Sequence, residues 1–329
     1  ASGLAGAFSA VSDDPSGAFY NPAGLAFSQS NYISISTNSF KYSELTSKKI
    51  VGNSKDWTMF SNNFFPSFFG LLQDFNGVKI GFSIITPESE RVDQDTRTEL
   101  DFSEASTRNQ TWVRNYNVIT QTYLVGPSIA HLINPNLSIG MSLFAMQRSR
   151  SVIDNQWVDW KNQDNQWDWS NKYIEENGLG LLPIFGIQCM PLPEVSVGAR
   201  LKTPYIIKAD ASIETINKPV VTTTSRSVRN TYDLKKEGYL YQPLSLNLGV
   251  AWFASSQLLL TTDIDYYKEH LSKNLFFKKK AIVNISSGVE YFLNRNISLR
   301  GGIYTNNSNV HTVFSTVDDI NLLGLTASI

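Results

Sequence analysis

The sequence predicts an all-β fold, a transmembrane antiparallel β-barrel of 12–14 strands with a small N-terminal hatch plugging the lumen. Three observations predict it. Apolar and polar residues alternate with period two through most of the chain. The polar partners are mostly small, with Ser, Gly, Asn and Asp where a soluble sandwich would carry Lys, Glu and Thr. Short and long links between the runs also alternate, which puts every long link at one end.

The bulk numbers agree. Of 329 residues, 17% are charged, against about 25% in an ordinary soluble domain. Aromatics reach 12%, and the net charge is -1, so no basic excess neutralises phosphates and nucleic acid is excluded as a default partner. No apolar run approaches the roughly 18 residues of a membrane helix, whereas a membrane strand needs only about 10. Cys189 is the single cysteine, so neither an internal disulfide nor a cysteine metal cluster can form. The chain shows neither an initiating Met nor a basic-then-apolar leader, and it reads as a mature product whose signal peptide has been removed.

The elements follow in order. Residues 1–30 form the hatch and residues 31–329 the barrel. In the hatch, "SGLAGAFSAV" can make a short helix, and "DDPSGAFYNPAGLA" cannot continue it because Pro15 and Pro22 interrupt the hydrogen-bond ladder. Phe8, Phe19, Tyr20 and Phe27 stand as anchors among small residues. Strands are expected near 31–40, 56–70, 78–87, 112–130, 137–149, 178–190, 194–207, 239–253, 257–267, 280–293, 296–305 and 319–329, a count of twelve. In "SLNLGVAWFA", Leu246, Leu248, Val250 and Trp252 share one face, and Ser245, Asn247, Gly249 and Ala251 share the other. The apolar face is expected to point outward into lipid, the reverse of a soluble barrel. Short links fall at "NPN", "PLPE", "ASSQ" and "NRN". Long links are expected at about 88–111, 151–177, 208–238, 268–280 and 305–318. Tyr266, Tyr267, Tyr291, Phe292 and Tyr304 gather near strand ends, as an interfacial girdle would. The C-terminal "LLGLTASI" lacks the terminal aromatic common in such barrels. Either twelve strands close the wall, a final hairpin is missing, or a further pair is hidden within a link.

Two groups of residues stand out. Trp157, Trp160, Trp167 and Trp169 lie together in "WVDWKNQDNQWDWSNKY". Aromatics at this density mark a binding or membrane-contacting surface, read here as an extracellular capture loop, with a self-packed loop as the alternative. Arg200 and Arg300 sit on the polar face. They read as lumenal cations that either anchor a carboxylate or pair internally with Asp13, Asp14, Glu290 or Asp265. His131, His270 and His311 have no metal-ligand spacing, and no G-x-S-x-G motif occurs, so no enzyme, metal site or cofactor is expected.

The stretch "GLAGAFSAVSDDPSGAFYNPAGLA" resembles the start of the FadL family of outer-membrane transporters of hydrophobic compounds. The matching features are its small-residue opening, its Asp-Asp-Pro-Ser and the motif Asn21-Pro22-Ala23. "QPLSLNLGVAWFASSQLLLTTDIDYYKEH", "GVEYFLNRNISLRGGIYTNNSN" and "VGARLKTPYIIK" resemble strands and turns of the same family. The resemblance implies a monomeric 14-stranded barrel in the outer membrane of a Gram-negative-type bacterium, embedded in its lipid. It implies passive uptake of long-chain fatty acids or aromatic hydrocarbons. Ligand or hatch roles would fall to Phe8, Phe19, Asn21, Pro22, Ala23 and Phe27, with lateral exit through a gap in the wall. The fold also has non-transporting relatives, so a surface or secretion-system scaffold barrel is the alternative.

Overall fold

The computed structural model describes residues 2–28, 31–51, 55–100, 110–160, 167–218, 226–233, 242–270, 279–294, 297–309 and 321–329. Fourteen antiparallel strands form one sheet. They are β1 (Tyr32–Val51), β2 (Lys55–Phe75), β3 (Val78–Leu100), β4 (Gln110–Asn134), β5 (Leu137–Trp160), β6 (Trp167–Leu192), β7 (Val195–Lys202), β8 (Tyr205–Lys218), β9 (Arg226–Asp233), β10 (Ser245–Phe253), β11 (Leu258–Tyr267), β12 (Ile282–Phe292), β13 (Ser298–Asn306) and β14 (Leu322–Ser328). Two more strands are present than the twelve counted from periodicity. The additional pair is β8 and β9, which occupy much of the stretch expected to be a link at 208–238.

The alternation has the inverted sense. Ile80, Phe82, Ile84, Val125, Ile139, Met141, Phe185, Leu248, Val250, Trp252, Ile285 and Ile303 are exposed on the outer face. Ser128, Ser138, Ser142, Gln188, Ser196, Asn247, Thr261, Asp263 and Glu290 are buried on the inner face. A soluble protein would not expose a continuous aliphatic band of this extent.

What buries the inner face is the N-terminal segment. It has a 3₁₀ turn at Ser2–Leu4, a single helical turn α1 (Gly17–Tyr20) and a 3₁₀ stretch at Pro22–Phe27. The expected short helix within "SGLAGAFSAV" is only the turn at Ser2–Leu4, and the later turns are separate from it. Pro22 stands at the first position of its turn, where its missing N–H is not needed, and the Asn21 side chain caps that turn by accepting from the Ala23 N–H. The segment touches β3 through β6 with its later turns and β12 through β14 with its first turn, so the sheet curls around it.

The strands differ sharply in length. β4 has 25 residues and β13 has 9. At about 3.3 Å per residue these are about 80 Å and 30 Å long. About 10 residues suffice to cross a membrane, so one side of the sheet rises far beyond the level of the other. The long links expected at 88–111 and 151–177 are therefore largely strand.

The sheet also branches. β6 pairs with β7 over Ile184–Leu192 and with β8 over Trp169–Leu181, so β7 and β8 lie end to end along it with Thr203 and Pro204 between them. On their other side β7 pairs with β10, and β8 pairs with β9 only from Asp210 upward. On that side the stretch 203–209 has no ladder partner among the described residues.

Candidate lumen site

The N-terminal segment is fastened to the inner face by buried polar contacts. Asn21 is fully buried. Its Nδ2 donates to the carbonyls of Ser9 at 2.7 Å and Ile187 at 3.1 Å, and its Oδ1 accepts from the Ala23 N–H at 3.2 Å. Asp263 Oδ2 accepts from the Phe8 N–H at 3.3 Å and the Ser9 N–H at 3.1 Å. Ser138 and Ser142 donate to the carbonyls of Ala23 and Ala18 at 2.8 and 2.7 Å. Inner-face glycines let the backbones approach closely. A Cβ on Gly140 would fall 2.4 Å from the Pro22 carbonyl, and one on Gly186 would fall 2.1 Å from Asn21 Oδ1.

Above this segment the inner face holds two adjoining hollows. The lower, of about 270 Å³, is lined in part by Ala5, Gly6, Phe19, Tyr20, Arg200, Lys202, Asp265 and Tyr267. The upper, of about 430 Å³, is lined in part by Arg148, Gln242, Tyr267, Lys279, Asn284 and Asn306. Tyr267, Asn284 and Asn306 belong to both. A third hollow of about 410 Å³ lies at the branch of the sheet, between Thr203, Pro204, Gln242, Leu244, Lys268, Glu269 and His270. Gln242 borders it and the upper hollow.

The predicted residues distribute unevenly over these features. Asn21, Pro22 and Ala23 are buried in the packing against β5 and β6. Phe8 stacks edge-on with Tyr20 at 5.6 Å. Of the three phenylalanines, Phe19 lines the lower hollow, and Phe8 and Phe27 line none of the three hollows above. Arg200 pairs with Asp265 at 2.7 Å and donates to the Tyr20 carbonyl at 3.0 Å. Arg300 pairs with Glu290 at 2.7 Å. Both arginines thus take the internal-pair reading within the wall rather than pairing with Asp13 or Asp14.

Sequence reasoning missed Lys202. Its Nζ sits 3.3 Å over the Phe19 ring, inside the lower hollow. No carboxylate among the described residues lies within salt-bridge distance of it. The signal was present as the next inward polar group after Arg200, but Lys at a strand end reads as a headgroup contact.

The tryptophans require a correction. They do not form a loop. Trp157 lies within the last residue pairs of β5, and Trp167 and Trp169 begin β6, with Trp157 paired to Trp169. Trp160 closes β5, and its side chain lies outside the described residues. The β4–β5 and β5–β6 registers run without a shift from Val125 and Leu143 up to these residues. Trp157 and Trp169 therefore face outward, on the aliphatic face, and away from the lumen.

On the inner face of the tall wall, Trp57, Trp112, Met59, Tyr116 and Val158 pack together, with the Arg114 guanidinium 4.0 Å over Trp57. Arg114 also holds Asp154 at 2.8 Å. Between this cluster and the hollows runs a paired charged band, Glu88 with Arg148 at 3.0 Å and Arg150 with Glu176 at 3.3 Å. Burial raises the Glu176 carboxyl above its usual range, and Arg150 opposes that. Burial lowers Lys279 to about 8, Arg148 adds to the lowering, and Glu88 and Glu176 oppose it. Among the described residues no group of three or more His, Cys, Asp or Glu is placed to hold a metal.

No family model matches the chain. No curated protein matches it. Solved structures do, and they are channels and transporters. The monoaromatic hydrocarbon channel CymD is 14% identical with a TM-score of 0.61, over 92% of this chain and 82% of that one. The Ralstonia pickettii toluene transporter TbuX is 14% identical with a TM-score of 0.61, over 88% and 81%. The P. putida toluene transporter TodX is 11% identical with a TM-score of 0.63, over 88% and 78%. At these identities the likeness is one of fold.

Proposed function

We propose that this chain is an outer-membrane channel of the FadL type, admitting hydrophobic small molecules by passive diffusion, with residues 1–30 as the hatch and β14 closing on β1. It needs no nucleotide, metal or catalytic residue. The reading rests on one arrangement, a chamber of about 270 Å³ held between the N-terminal segment and the inner face of a sheet whose outer face is aliphatic. A greasy solute crosses a saccharide layer poorly, and a walled route to the hydrocarbon avoids it. The short strands β10–β14 leave the upper hollow near the membrane surface as the entrance. The lower hollow holds the solute against Phe19 and Tyr20. The branch at Thr203–Pro204 offers the sideways exit. Tyr205 and Tyr266, exposed beside it, mark the interfacial level. The paired charged band carries little net field, so it does not draw water-soluble ions. Lys202, free of a carboxylate partner, suits a solute with an acidic head, which favours a long-chain fatty acid over an aromatic hydrocarbon.

The experiment is uptake of a labelled long-chain fatty acid and a labelled aromatic hydrocarbon by outer-membrane-bearing cells lacking their own transporter. The parent is compared with Lys202→Met and with the double variant Asn21→Ala, Pro22→Ala at equal outer-membrane levels. The parent is expected to admit the fatty acid, Lys202→Met to lower that uptake severalfold, and the hatch variant to change it. Uptake of neither compound by a folded barrel would replace the channel reading with the scaffold reading.

A further inference from the structure

We infer that the outward face at the top of the tall wall binds saccharide, specifically the sugar chain of the lipopolysaccharide surrounding the barrel. The inference rests on the outer-membrane reading for its partner and on the face itself for its chemistry. A hollow of about 420 Å³ there is lined by Val113, Asn115, Asn155, Trp157, Trp167 and Trp169. Trp157 is 45% exposed, and Trp157 and Trp167 meet edge to face at 6.5 Å.

The side chains across the strands form rows. Arg97, Val113, Trp157 and Trp169 lie in one, and Asp95, Asn115, Asn155 and Asn171 in the row below, with Asn115 Nδ2 donating to Asp95. Asn171 Nδ2 donates to Asn155 Oδ1 at 2.7 Å. That bond leaves Asn155 Nδ2 as a donor and Asn171 Oδ1 as an acceptor, with no partner among the described residues. The seven lining side chains, Gln156 among them, carry no formal charge.

A pyranose ring is built to meet such a surface. One face presents C–H bonds, which pack on an indole, and the rim presents hydroxyls, which both donate and accept. Indoles beside paired amides supply both halves of that recognition. A hydrophobic solute would leave the amides unsatisfied, and the exposed Arg97 beside Val113 leaves a cation for an anionic substituent on the sugar.

Position selects the source. Trp157 and Val113 share their face with Tyr123, Val125 and Leu143, which face outward in the aliphatic band. Val113 lies ten residues beyond Tyr123, about 33 Å along the strand. At a tilt near 40° that is about 25 Å above the interface. In an outer membrane that height is occupied by sugar.

The test uses the purified full chain in detergent and lipid-free polysaccharide released from lipopolysaccharide by mild acid. Binding is followed by calorimetry and by saturation transfer to the sugar protons. The parent should bind saturably. The double variant Trp157→Ala, Trp169→Ala should bind about tenfold more weakly or worse, about 1.4 kcal/mol. Trp252→Ala, in the outward aliphatic band, should bind as the parent does. Heat-modified gel mobility reports that each variant is folded. No saturable binding by the parent, or equal binding by the double variant, overturns the inference. So does a double variant that keeps the sugar and loses solute uptake, which would return these tryptophans to solute capture. Uptake by the parent tests the channel reading separately.

Discussion

At the scale of single residues, Asn21 carries more of the N-terminal segment's docking than its motif suggests. Its amide closes three hydrogen bonds at once, to Ser9, Ile187 and Ala23, in a fully buried position. Asn21→Ala would orphan two carbonyls and remove a cap. At about 1 kcal/mol for each bond, docking of the segment weakens by about 3 kcal/mol. Hydrogen exchange should then show loss of protection across 8–27 while the strands keep theirs. Unchanged protection would mean that Asp263, Ser138 and Ser142 suffice. Lys279 gives a second residue-scale prediction. Its folded value of about 8 lies below the ordinary 10.5, chiefly through burial. The folded protein therefore binds fewer protons than the unfolded chain between those values. Its stability rises with pH across that window, and the penalty stands in full below it. Lys279→Met should raise the thermal midpoint near neutral pH, and the gain should shrink from about pH 8 to about pH 10.5. A gain that does not change with pH would assign the effect to packing instead.

At the scale of elements, legibility followed the surroundings of each face. Strands β10 to β13 could be read because one face is aliphatic and exposed and the other meets the N-terminal segment, so alternation is enforced at every step. The upper halves of β3 to β6 could not. There the aliphatic band ends, and both faces turn polar. In "RNYNVITQT" the outward Asn115, Asn117 and Ile119 oppose the inward Tyr116, Val118 and Thr120, with no net hydrophobic period. What survives there is enrichment in β-branched and aromatic residues, a weaker signal than period two. The pair β8 and β9 was hidden for the same reason. The small inward residues of β5 to β7 were legible as a fitted surface. Their cause was not, because the glycines at 140, 186 and 198 are set by backbone contacts with a segment more than a hundred residues away. Arg300 was legible because its carboxylate, Glu290, stands opposite it on the neighbouring strand, and Arg200 because Asp265 lies in the same row across β10. The facing of the tryptophans was not, since parity cannot be carried through what reads as a loop.

At the scale of the molecule, the branch in the sheet is where the proposed channel would release its solute. β6 holds β7 and β8 in one line, yet their other partners diverge, and the stretch 203–209 is left between them. The hollow there, of about 410 Å³, shares Gln242 with the upper hollow. The Thr203 N–H bonds the Pro183 carbonyl at 3.1 Å, so the backbone at the branch is fixed on its β6 side and the opening does not require strand separation. Thr203→Trp would place an indole into this hollow while leaving that backbone bond in place. Solute uptake is expected to fall severalfold, with solute still bound in the lower chamber and the midpoint of unfolding little changed. Bound solute is read by extraction from the purified barrel, and flow by the initial uptake rate. If flow persists at the parent's rate with the indole in place, the solute leaves past the N-terminal segment, and the hatch itself must move. If flow and bound solute are lost together, the substitution has closed the entrance rather than the exit. Only retention with slowed flow fits a sideways exit at the branch.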